Sequence, residues 1–114
     1  MSKLDQFKED FVLLLEAGFI AVNQADEDSA IKLFKAAEQL QPKNILPTIG
    51  LGYLHLHKLE LTSAIKMFKQ ALKIEPNNEM AKTFLGIAMT FSSSQLAEGE
   101  KLLAETKKEL RTKT

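Results

Sequence analysis

Two histidines and a run of three acids are the side chains of this 114-residue chain best suited to chemistry. His55 and His57 would be the obvious pair for a metal ion. They stand two apart in a segment with helical periodicity, so they point in roughly opposite directions and cannot chelate one ion. Asp26, Glu27 and Asp28 offer carboxylates for general-base work, but they sit where a helix begins. An aspartate there caps free backbone N–H groups, and acids in a first turn complement the helix dipole. No His-Glu-x-x-His, no glycine-rich phosphate loop and no Gly-x-Ser-x-Gly occurs. With no cysteine, disulfides and thiolate metal sites are excluded. The sequence gives no reason to expect an enzyme, a metal or a cofactor.

Composition narrows the partners. The chain is 45% hydrophobic and 26% charged, ordinary for a globular protein. Fifteen basic residues balance fifteen acidic ones, which leaves no electrostatic footprint for nucleic acid. Residues 11–22 form an apolar run broken only by Glu16. That run is short of the roughly 20 residues needed to span a bilayer. Asp5, Glu9 and Asp10 before it are the wrong flank for a secretory signal. No membrane insertion is expected, and the cytoplasm is the expected compartment.

The elements that carry these residues read as helices throughout, with no period-two alternation. Leu4 and Phe7 lie on one face and lead into the apolar run, so the first helix is expected over 4–23. The second is expected over 27–40, stopped by Pro42. A third begins near Asn44 or Pro47 and ends near Lys58, since proline is tolerated in a first helical turn. A fourth begins near Thr62 or Ser63 and ends at Ile74 before Pro76. Asn77 and Asn78 suit the cap of a fifth, running to about Thr90. After a turn at Ser92, Ser93 and Ser94, a sixth is expected over 95–110.

These helices repeat. Gly18, Gly52 and Gly86 are each 34 residues apart, and so are Ala30 and Ala64, Phe34 and Phe68, Ala37 and Ala71, and Pro42 and Pro76. Positions of such different chemistry rarely coincide at one offset by chance, and a period of this size signals stacked units. The pattern resembles the tetratricopeptide repeat, a helix–turn–helix of about 34 residues with small residues where two helices nearly touch. The resemblance implies an all-α fold of three repeats, over 11–44, 45–78 and 79–112, wound into a short right-handed superhelix with a concave groove. The whole of 1–114 would be one domain, with 1–10 extending the first helix. At the strict period the third unit has Glu98 and Glu105 in place of the small residues and Leu110 in place of proline, as a solvent-facing terminal unit would.

In the repeat family, side chains of each first helix face the groove. Carried onto this sequence, the groove residues are Val12, Leu15, Phe19, Val22 and Asn23, then Leu46, Ile49, Tyr53, Leu56 and His57, then Met80, Thr83, Ile87, Thr90 and Phe91. No acid, lysine or arginine is among them, and most are apolar. Repeats that clamp an acidic carboxyl terminus need lysine, arginine and asparagine here, so that use is not expected. The first helix is apolar nearly all round, and such a helix needs cover on more than one side. Leu13, Ala17 and Ile20 form an outer stripe expected to meet a second partner.

A short repeat chain with an apolar groove is similar to the chaperones of needle subunits in bacterial type III secretion, a virulence-associated protein-transport system. That likeness implies a cytoplasmic chaperone whose groove takes the amphipathic helix of a secreted needle subunit and prevents premature polymerisation. A small helical co-chaperone would pack beside it. The competing expectations are a generic repeat adaptor for protein–protein interaction and a chaperone of type III translocators.

Overall fold

The computed structural model describes residues 2–113. It consists of α1 (Lys3–Asn23), α2 (Glu27–Leu40), α3 (Leu46–His57), α4 (Leu61–Ile74), α5 (Glu79–Thr90) and α6 (Leu96–Lys113), with no strand among the described residues. The expected all-α, repeat-like architecture is what the structure shows. Successive helices pair as α1 with α2, α3 with α4 and α5 with α6. α1 also touches α3, and α3 touches α5, so the first helices of the pairs form one layer.

Local chemistry sets most boundaries. Ser2 Oγ accepts from the Asp5 N–H at 3.1 Å, Asp26 Oδ1 from Ser29 at 3.2 Å and Asn78 Oδ1 from Ala81 at 2.9 Å. Each bond satisfies a donor that a helix leaves unpaired at its start. Asn44 Oδ1 accepts from Leu46, and Pro47 occupies the first turn of α3. α2 and α4 stop just before Pro42 and Pro76, as expected. α4 starts slightly earlier than its hydroxyl residues suggest. Its N-cap is Glu60, whose side chain makes no capping bond.

The turns inside the first two pairs explain that early start. Ala25 and Leu59, 34 residues apart, are the only non-glycine residues with positive φ among those described, both at 59°. At each, the N–H of the next residue reaches five residues back, Asp26 to Ala21 and Glu60 to His55, while the Ala25 and Leu59 N–H groups bond Val22 and Leu56. This double bond pattern closes a helix and favours glycine at the left-handed position. Leu59 is exposed there, so nothing in its packing offsets the steric cost. Leu59→Gly is expected to raise stability by about 0.5–1 kcal/mol, read as a higher thermal midpoint.

Within and between the pairs, glycine and a large ring interlock. Phe34 is fully buried, and a β-carbon built on Gly18 or Gly50 would lie 2.5 or 2.3 Å from its ring. Phe68 stands against Gly52 in the same way, at 2.6 Å. The third pair keeps the device with different residues and a shifted register. A β-carbon on Gly86 would meet Leu103 at 2.7 Å, and one on Gly99 would lie 2.8 Å from the Gly86 carbonyl oxygen. Thr106 is buried, and Gly99, Leu103 and Thr106 keep the spacing of Ala64, Phe68 and Ala71 at an offset of 35. The strict period, which put Glu98 and Glu105 at the small-residue positions, is therefore corrected. α6 begins 35 residues after α4, one more than the repeat, and both glutamates are exposed.

Candidate protein-binding surface

The first-helix layer carries a chain of rings. Phe19 packs edge-on to Phe34 with centroids 5.2 Å apart and lies 5.4 Å from Tyr53. Tyr53 stacks on Phe84 at 5.0 Å and meets His57 at 6.0 Å, and Phe84 lies 5.7 Å from Phe68. The Tyr53 hydroxyl donates to Asn23 Oδ1 at 2.6 Å, a bond from α3 to α1. Rings at such distances add attraction beyond the area they bury. Tyr53 and Phe19 are thus half-buried, with one edge in the layer and the other at the surface.

The expected groove row divides accordingly. Leu15, Val22, Ile49 and Leu56 are 8% exposed or less and belong to the core. They cannot offer area to a partner, because they are packed into the hydrophobic clusters formed with the neighbouring helices. Phe19, Leu46, Tyr53 and Ile87 are half-buried, and Val12, Met80 and Phe91 are exposed, Phe91 at 61%. Phe84 was missing from the sequence reading, although it joins Tyr53 to Phe68. Its signal was available in the aromatic type itself, since it lies two residues before the repeating Gly86.

α1 presents a second apolar surface. Leu13 and Ile20 are exposed and Ala17 is half-buried. Leu4 and Phe7 continue the seam of Phe11, Leu14, Gly18 and Ala21, with the alternating three- and four-residue spacing of a helix-packing face. They stand exposed, having run past the end of α2. A hollow of about 520 Å³ lies beside this stretch, lined by Asp10, Leu13, Leu14, Ala36, Gln39 and Leu40. One repeat later Thr48, Gln70, Lys73 and Ile74 line a counterpart of about 380 Å³. In the third pair Lys82 takes the equivalent place and bridges to Glu109 at 3.1 Å.

The polar residues singled out for chemistry are structural. Asp26 caps α2. Its carboxyl is held below the ordinary range by hydrogen bonds from the Ser29 hydroxyl and backbone N–H. His57 is exposed, while His55 is half-buried with Nδ1 2.8 Å from Glu60 Oε1. Lys58 Nζ donates to Glu27 Oε1 at 2.7 Å and lies 3.5 Å from Glu60 Oε2. These contacts tie the α3–α4 turn to the start of α2. Among the described residues no group of three His, Cys, Asp or Glu could hold a metal, and no helix is long and apolar enough to cross a membrane.

Glu60 is held below its ordinary value of 4.5, chiefly by the hydrogen bond to His55 and also by the Lys58 charge. A carboxyl lowered in the folded state adds stability above its unfolded value, and that stability is lost as pH falls through the folded one. Wild type is therefore expected to melt above Glu60→Gln at neutral pH. The two midpoints should converge below the ordinary carboxylate range.

Comparison with known proteins bears on the same helices. Residues 49–78 match the tetratricopeptide repeat. No curated protein matches the chain significantly. The matched repeat covers α3 from Ile49 onward, all of α4 and the approach to α5, including Gly52, Tyr53, Ala64, Phe68 and Pro76. A repeat of this kind is a protein-interaction module, generally without catalysis of its own. Its functional surface is then sought among the partly exposed apolar side chains of the first-helix layer and of α1.

Proposed function

We propose that the chain is a helix-binding chaperone that captures an amphipathic helix on its first-helix layer. The observation that carries this reading is the Phe19–Tyr53–Phe84 ring row, continued by exposed Val12, Met80 and Phe91 and free of acid, lysine and arginine. Half-buried aromatic side chains anchored from behind make good hot spots, because little side-chain freedom remains to be lost on binding. A helix with apolar residues at three- and four-residue spacing suits such a row.

The finer reading is that the client is a needle subunit of bacterial type III secretion, held unpolymerised in the cytoplasm. Leu13, Ala17 and Ile20 on α1 would take a small helical co-chaperone. Supporting it are the apolar character of the ring row and the near-complete apolarity of residues 11–22. Co-expression with a type III needle subunit should give a soluble complex on gel filtration. A needle subunit that still sediments as polymer while the chain elutes alone would overturn this reading. In the complex, Ile20→Glu should release the co-chaperone and leave the needle subunit bound.

A further inference from the structure

We propose that the outer face of α4 is a separate docking site for an acidic amphipathic helix of a partner protein. α4 carries Lys66, Lys69 and Lys73 and no acidic residue, whereas α2 and α6 mix both signs. All three lysines are exposed, on the side of the helix opposite buried Ala64, Phe68 and Ala71. None of the three is in an ion pair among the described residues. Like charges three and four residues apart weaken a helix, and no acid of the chain offsets this.

The surroundings define the occupant. Lys66 to Lys73 span only about 10 Å of helix axis. Glu60 immediately precedes the helix but is held by His55 and Lys58, while Glu75 immediately follows it and is in no ion pair among the described residues. An extended polyanion or an anionic bilayer would bring its charge onto Glu75 as well as onto the lysines. A short acidic helix would meet the lysines alone. One shallow hollow lies on the outer face itself, between Ile65 and the three lysines, and a second beside it is lined by Ile45, Lys73 and exposed Ile74. Carboxylates on one stripe with leucines beside it would meet the lysines and the exposed Ile74 edge together, and charge matching of this kind sets register and partner choice.

The test uses the full chain and two labelled helical peptides of identical composition. One has glutamates at the lysine spacing flanked by leucines, and the other is a scramble. The patterned peptide should bind at least about tenfold tighter than the scramble, with affinity falling as salt rises. Lys66→Glu/Lys69→Glu/Lys73→Glu should lose it and gain binding to the same peptide rewritten with lysines. Should the reversed variant misfold, Lys66→Gln/Lys69→Gln/Lys73→Gln must show the same loss. Equal binding of patterned and scrambled peptides, or unchanged binding by the glutamine variant, would overturn the proposal. So would tighter binding to duplex DNA or to phosphatidylglycerol vesicles than to the patterned peptide.

Discussion

Phe34→Ala is expected to remove about 3–5 kcal/mol of stability, the cost of emptying a buried aromatic site. A domain of this kind has only about 5–15 kcal/mol in hand, so the variant should be largely melted by moderate urea. The size follows from position. The ring is fully buried, is held between Gly18 on α1 and Gly50 on α3, and meets Phe19 edge-on. One side chain therefore joins the first pair to the second. Gly50→Ala tests the same joint from the other side. Alanine normally gains about 1 kcal/mol over glycine inside a helix. Here its methyl would stand 2.3 Å from a ring that cannot retreat, because the ring is fully buried and packed against Phe19. Overpacking of that severity costs about 1–3 kcal/mol or more, so the net sign should be destabilising. Combining Gly50→Ala with Phe34→Leu should cost less than the two changes added, since the smaller side chain frees the space the methyl needs. Full additivity in urea melts would show that the close approach does not govern this joint.

Such joints are why the fold was legible. Gly18, Gly52, Ala30, Ala64, Phe34 and Phe68 recur because each pair reuses one close approach, and one geometry admits few side chains. Pro42 and Pro76 recur because each stops a helix at the same place. The third pair departs from the strict period because α6 begins one residue later than the repeat places it, while the packing stays. Gly99, Leu103 and Thr106 do the work at an offset of 35, and that spacing was present in the sequence. The turn conformation at Ala25 and Leu59 was not legible, since neither is a residue that announces positive φ.

The binding surface was harder to read for a different reason. Periodicity says which way a side chain leaves its own helix, but exposure depends on how closely the next helix lies. Leu15 and Phe19 stand one turn apart on α1, yet Leu15 is buried against the core while Phe19 is only half-covered by Tyr53 and Phe34. Ile49 and Leu56 are buried in a cluster with α4 and α5, and no residue type at those positions distinguishes core from surface. Tyr53 shows the consequence for experiment. It anchors Phe84, Phe19 and Asn23, so Tyr53→Asp would disturb the fold as well as any partner.

Met80→Asp/Phe91→Asn avoids that confusion and is expected to abolish capture of an amphipathic helix with little change in stability. Both side chains are exposed, Met80 at 42% and Phe91 at 61%, so removing them opens no cavity. Exposed substitutions of this kind generally stay within about 0.5 kcal/mol. The replacements also suit their sites. Met80 lies in the first turn of α5, where an acid complements the dipole, and Phe91 is the C-cap, where asparagine is tolerated. If each side chain is an anchor worth about 2 kcal/mol, the pair accounts for roughly a thousandfold in Kd. An unchanged thermal midpoint with lost binding places the client on α5 and the ring row beside it. A variant that binds as wild type does moves the site to α1, where Leu13→Glu/Ile20→Glu would then be the change that releases the client.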